Sequence, residues 1–180
     1  MITTLKERLP NLQQIFAIYG IISLLIYGWT LISFFWRLPS WEYFLTIGEI
    51  FSILAYSMSV NMLESLSILL LLIVLSLILP RSWFREVFLS SAFLLVILGL
   101  VYTMYLNTHI TLENNQYPTQ LVRLIPIILI LIVVLSLLIG RIPLLRKLIE
   151  NLADRTSIFS YIFLPVSLIS LLIVIVRNVI

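Results

Sequence analysis

Two long apolar runs without a single charged side chain, residues 66–79 and 127–139, constrain this sequence more than any other feature. Hydrophobic residues make up 62% of the chain and charged residues 11%, whereas a soluble domain carries roughly a quarter charged residues. A transmembrane helix needs roughly 20 mostly apolar residues to cross about 30 Å of hydrocarbon. The sequence therefore predicts an all-α, polytopic transmembrane helical bundle that uses residues 1–180 as one integral membrane domain.

Five spans fit into this length, together with two amphipathic helices at the membrane surface. Prolines, polar loops and clusters of aromatic residues mark the predicted boundaries, and we expect a kink at Pro165 in the last span. The predicted spans are residues 15–36, 52–79, 88–106, 124–140 and 158–176. The predicted interfacial helices are residues 41–51 and 141–155.

The second span has an alternative interpretation. Residues 41–79 contain no proline, and as a single helix they would extend about 58 Å, which is too long for one crossing. Glu42, Thr46 and Glu49 form a polar stripe, which favours an interfacial helix followed by one long span. Two short spans joined by a turn at residues 61–64 would instead give six spans.

Basic residues predict the orientation, because cytoplasmic loops of membrane proteins are enriched in Lys and Arg. With five spans and the N-terminus inside, eight basic residues are cytoplasmic and three are outside. The six-span version scores best with both termini outside. Both versions keep the loops at residues 81–86 and 141–156 in the cytoplasm, and a bacterial inner membrane is the default location.

One polar face stands out in the second span. Ser57, Asn61, Glu64 and Ser65 recur at helical spacing, and a carboxylate deep in a bilayer normally faces protein or a water-filled cavity. We expect Glu64 to face protein and to be at least partly protonated. Hydrogen bonding between packed helices is the simpler role for this face, and an ion or proton site is the alternative.

Other residues offer little chemistry. Arg146 and Lys147 are candidate contacts to lipid headgroups. Asp154 is the single aspartate, His109 is the single histidine and there is no cysteine, which excludes paired-aspartate proteolysis, an HExxH zinc site and thiolate catalysis. We therefore expect no enzyme activity, no cofactor, no metal and no nucleic acid, with membrane lipids and other membrane protein chains as partners.

Three functions remain open. The first is a non-catalytic subunit or scaffold of a membrane complex, and the second is a small channel or transporter that uses Glu64. The third follows from a resemblance. The element order and the segment FLTIGEIFSILAY at residues 44–56 resemble the membrane region of lipoteichoic-acid-synthase-like proteins. That resemblance implies a membrane module of an envelope-building system, to whose outer face a separately encoded catalytic chain binds.

Overall fold

The computed structural model describes residues 10–78, 88–109, 119–139 and 142–179. These residues form five α-helices and no strand, which confirms the predicted all-α helical bundle. The loop predicted at residues 81–86 lies outside the described residues. The helices are α1, Leu12–Trp41; α2, Ile47–Ile78; α3, Phe88–His109; α4, Thr119–Ile139; and α5, Pro143–Val179.

The helices have the length and composition of membrane helices. By these criteria α1, α2, the segment Phe88–Leu106 of α3 and α5 are each able to cross a membrane, while the apolar segment Leu124–Leu138 of α4 is shorter. Large leucine and isoleucine side chains cover the outside of the described bundle, and serine is the most frequent polar residue in its interior. This distribution is compatible with an integral membrane protein, in which lipid covers the outer apolar side chains.

A close contact between α1 and α5 forms the centre of the bundle. A Cβ atom added at Gly20 would lie 2.2 Å from the backbone oxygen of Thr156, so the two backbones nearly touch. The Thr156 hydroxyl lies 3.5 Å from the carbonyl oxygen of Ala17, and farther along the two helices Tyr27 meets Ser167. Since both pairs advance in the same direction, α1 and α5 are parallel.

The helix α2 runs in the opposite direction to α1 and α5. Tyr56, near the start of α2, donates a hydrogen bond of 3.1 Å to the side-chain oxygen of Asn178, near the end of α5. α2 is therefore antiparallel to α5 and also to α1. The start of α1 and the end of α5 consequently lie at opposite ends of the bundle.

The remaining helices complete the bundle on the other side of α1. Leu89, near the start of α3, lines a polar pocket with Gln14 of α1, and Leu100 lines a groove with Ile26. α3 therefore runs parallel to α1. The helix α4 packs mainly against α3, and much of its described surface is exposed.

The joint between α1 and α2 differs from the sequence prediction. α1 does not end before Pro39, since the amide of Glu42 still donates to the carbonyl of Leu38 over 3.1 Å. Pro39 lies in the last turn, where its missing N–H removes one helix bond. No separate interfacial helix spans residues 41–51, because residues 42–46 form a turn and α2 begins at Ile47.

The polar residues at this joint cap a helix. The backbone amide of Thr46 donates to a carboxylate oxygen of Glu49 over 2.7 Å, and the Thr46 hydroxyl donates to the same oxygen over 2.8 Å. The amide of Glu49 approaches the Thr46 hydroxyl oxygen at 3.4 Å. This reciprocal pattern is a capping box, which satisfies backbone donors at the N-terminus of α2.

Two further boundaries differ. α2 is helical throughout residues 61–64, so the turn required by the six-span alternative is absent. The predicted interfacial helix at residues 141–155 and the last span are a single helix, α5, whose Thr156 and Ser157 hydroxyls donate to carbonyls of the preceding turn.

Candidate functional site: the Glu64 groove

Three residues of the predicted polar face of α2 are used inside this chain. Ser57 is half-buried and donates to the carbonyl of Ile53 over 2.8 Å, while Asn61 and Ser65 are buried. Their i, i+4, i+8 spacing places them on the side of α2 that faces the bundle. Ser65 also donates to the carbonyl of Met62 over 3.0 Å.

A polar bridge joins this face of α2 to α1. The hydroxyl of Thr30 donates to the side-chain oxygen of Asn61 over 3.1 Å. The side-chain nitrogen of Asn61 is also buried and has no hydrogen-bond partner among the described residues. Asn61 therefore connects α1 and α2 through its side-chain oxygen, while its side-chain N–H group has no partner among the described residues.

Sequence reasoning missed a cluster of hydroxyl groups deeper in the bundle. The Tyr27 and Ser167 hydroxyl oxygens lie 2.6 Å apart, and the Tyr27 ring stacks on Phe163 with 4.5 Å between ring centroids. The Tyr19 hydroxyl is also buried and has no hydrogen-bond partner among the described residues, and the buried Ser65 hydroxyl donates within α2. The i, i+8 spacing of the two tyrosines on α1 is a sequence signal that could have indicated this cluster.

Glu64 lies away from the buried face, at the surface of the chain. It is exposed and lines a groove of about 270 Å³ that opens between α2 and α3 across α1. Among the described residues, it makes no ion pair and no hydrogen bond. Glu64 is therefore not buried in the interior of this chain. The groove, called the Glu64 groove below, is lined by Ile26, Trp29, Thr30, Glu64, Leu100, Thr103 and Met104.

The two threonine hydroxyls in this groove already donate hydrogen bonds within the chain. Thr30 donates to Asn61, and Thr103 donates to the carbonyl of Leu100 over 2.8 Å. Their oxygens keep lone pairs that accept hydrogen bonds, and an ionised carboxylate accepts only. The side-chain oxygens that line the groove are therefore available as hydrogen-bond acceptors, and an ionised carboxylate among them would attract a donor that carries positive charge.

A second groove adjoins the first toward the end of α1. It has a volume of about 240 Å³ and shares Trp29 and Thr30 with the Glu64 groove. Its lining also includes Arg37, Trp41 and Ser57, so it leads from the middle of the helices to their ends. Arg37 is seven residues beyond Thr30, which places its Cα about 10 Å farther along α1.

The basic residues proposed as lipid contacts lie at the other end of the bundle. Arg146 and Lys147 are exposed in the first turns of α5, and the Arg146 side chain donates to Glu150 over 2.8 Å. The side chain of His109 is outside the described part of the structure. No group of three His, Cys, Asp or Glu residues able to hold a metal ion occurs in the described ranges.

Comparison with known proteins does not assign this arrangement. No family model matches the chain, and neither the curated proteins nor the solved structures contain a significant match. The likeness of residues 44–56 to lipoteichoic-acid-synthase-like proteins therefore has no support from a family match.

Proposed function

We propose that this protein is a non-catalytic subunit of a membrane complex, and that another chain covers the Glu64 groove. One observation carries the proposal, namely that an unpaired carboxylate lies on the outside of the bundle in the middle of a long apolar helix. The membrane lipids and at least one membrane protein chain are then its partners.

The position of Glu64 along α2 makes exposure to lipid unfavourable. Glu64 follows Ile47 by 17 residues and precedes Ile78 by 14, which corresponds to about 25 Å and about 21 Å of helix. A glutamate side chain is too short to reach the headgroups from that depth. A charged residue at a bilayer centre costs at least about 2.5 kcal/mol, so it pairs with another group or faces protein or water.

The rest of the polar face supports a structural role. Thr30 and Asn61 form a hydrogen bond between two helices, of a kind common in membrane bundles, and Ser57 donates to a carbonyl of its own helix. Glu64 differs from them because nothing in the described chain pairs with it. A second chain would supply the missing contact.

The absence of cysteine from the chain gives a direct test of this proposal. A Thr103→Cys variant carries one thiol in the groove, and a Leu172→Cys variant carries one on an exposed position of α5. Each is labelled with a thiol-specific photocrosslinker in native membranes and irradiated. We expect a discrete protein adduct from position 103 that position 172 does not give.

The outcome that overturns the proposal is equally specific. If both positions yield only lipid adducts, or if both yield the same unspecific ladder, no chain covers the groove. Combining Thr103→Cys with Glu64→Gln provides a further control. Loss of the adduct in that double variant would connect the contact to the carboxylate and not to the position alone.

A small channel or transporter is the second candidate. It is favoured by the two neighbouring grooves, which share the lining residues Trp29 and Thr30 and contain Glu64 and Arg37 respectively. Flux of protons or monovalent cations across proteoliposomes containing only this chain distinguishes it from a subunit. A flux that Glu64→Gln abolishes would favour transport, whereas the subunit proposal expects no flux above that of empty liposomes.

The orientation belongs to the same proposal. Arg146, Lys147 and Arg155 lie toward the end of the bundle where α1 begins, and Arg37 and Arg177 lie toward the opposite end. By the positive-inside rule, the first of these ends faces the cytoplasm. The proposed location is an integral position in a bacterial inner membrane, with five crossings.

A further inference from the structure

We propose that the Glu64 groove receives the ammonium group of a lysine from a transmembrane helix of the partner chain. This inference rests on the proposed subunit function and adds to it the chemistry that the partner must supply.

The hydrogen-bond character indicates a cation with several donors. The groove offers the Glu64 carboxylate and the oxygens of Thr30 and Thr103, whose own protons are directed elsewhere. An ammonium group carries three N–H donors and no acceptor, so it matches three acceptor groups. A neutral amide or hydroxyl would leave the carboxylate charge uncompensated in an apolar environment.

The lining suits the rest of a lysine side chain. Ile26, Leu100 and Met104 form apolar walls beside the three acceptors, and the flexible methylene chain of lysine packs on such surfaces. Trp29 adds an indole ring, and the faces of aromatic rings attract cations. The groove has a volume of about 270 Å³, which leaves room for one such side chain.

The depth of the groove favours a lysine of a partner helix over a lipid headgroup as the source of the ammonium group. Lipid headgroups lie at the boundary of the hydrocarbon, roughly 15 Å from its centre. Glu64 is more than 20 Å of helix from either end of α2, which places it near that centre. A side chain carried into the bilayer by a partner helix reaches Glu64 directly, whereas a headgroup would have to leave the surface.

A host peptide tests the inference without knowledge of the natural partner. The full-length chain carries a fluorophore on a single cysteine at Val179→Cys and is reconstituted in phosphatidylcholine vesicles. Leucine–alanine helices of transmembrane length, with lysine or leucine at the central position, carry the acceptor fluorophore. We expect the lysine peptide to associate about tenfold more tightly than the leucine peptide.

Matched variants connect that difference to the groove. Glu64→Gln keeps the size of the side chain but removes its charge, and we expect it to abolish the preference for lysine. Glu49→Gln removes a carboxylate at the N-terminus of the same helix, outside the groove, and we expect the preference to remain. Equal association of the two peptides, or a preference that persists in Glu64→Gln, overturns the proposal.

A change of lipid distinguishes the two sources of ammonium. In vesicles that contain phosphatidylethanolamine, we expect the lysine preference to be unchanged, because the headgroup does not reach Glu64. Loss of the preference in those vesicles would show that a lipid ammonium occupies the groove and would overturn the assignment to a partner helix. A protein adduct at position 103 without any lysine preference would leave the subunit proposal standing and reject this inference.

Discussion

The hydroxyl oxygens of Tyr27 and Ser167 lie 2.6 Å apart in the buried contact between α1 and α5, although 140 positions separate them in the chain. Ser167 also approaches the carbonyl of Phe163 at 2.6 Å, and its single proton suits that bond. Tyr27 is then the donor toward Ser167. One polar bond thus joins the first and last helices of the bundle at the same level where the Tyr27 ring stacks on Phe163.

Removing this hydroxyl should weaken the bundle modestly. Tyr27→Phe keeps the stacked ring but loses the hydrogen bond, and interhelical hydrogen bonds in membrane proteins average about 0.6 kcal/mol with a maximum of about 1.7 kcal/mol. We expect the free energy of unfolding in mixed detergent micelles to decrease by about 0.6 kcal/mol, and by no more than about 1.7 kcal/mol. In a double-mutant cycle with Ser167→Ala, the two effects should be less than additive, and full additivity would contradict a direct bond.

Gly20 should tolerate no side chain. A Cβ atom at this position would lie 2.2 Å from the backbone oxygen of Thr156 and 2.7 Å from its carbonyl carbon, so α1 and α5 must separate to admit it. We expect Gly20→Ala to lower the free energy of unfolding by about 1–3 kcal/mol, as overpacking does elsewhere.

Gly28 provides the matched control on the same helix. A Cβ atom there meets nothing within 4 Å, and alanine is the better helix former by up to about 1 kcal/mol. We therefore expect Gly28→Ala to be neutral or slightly stabilising in the same unfolding measurement. If Gly20→Ala proved as stable as Gly28→Ala, the close backbone contact between α1 and α5 would be wrong.

The helical bundle could be predicted from sequence because uncharged runs such as residues 66–79 permit only helices at membrane depth. The packing could not be predicted to the same extent, because lipid and a membrane protein interior are both apolar. Hydropathy therefore does not separate the inward face of a helix from its outward face. Serine and asparagine at i, i+4, i+8 on α2 carry that information, whereas the pairing of Tyr27 with Ser167 requires the register of two distant helices.

The side of α2 on which Glu64 lies could not be predicted from residue spacing alone. It follows Asn61 by three residues, close enough in angle to share its face, yet the structure places Asn61 inside and Glu64 at the edge of the groove. A rotation of one position around the helix decides between these environments, and spacing alone does not fix it. The same limit applies at Thr46 and Glu49, where the i, i+3 pair fits a polar stripe and a capping box equally well.

Topology reporters at the two ends test whether the number of crossings is odd, as five crossings require. The start of α1 and the end of α5 lie at opposite ends of the described bundle, and the basic residues of early α5 lie with the first. We expect a reporter fused before Met1 to be cytoplasmic and one fused after Ile180 to be external. Two reporters on the same side would contradict five crossings, and an external first reporter would contradict the proposed orientation.

The cap of α2 gives the last prediction. Thr46 and Glu49 satisfy backbone donors at the start of a helix that carries the Glu64 groove. Thr46→Ala removes the hydroxyl, and we expect the free energy of unfolding to fall by about 1 kcal/mol, as for other N-caps. Thr46→Ser keeps an equivalent hydroxyl and should retain nearly all of that stability. If the serine variant were as unstable as the alanine variant in detergent unfolding, the loss would come from packing of the threonine methyl group and not from the cap.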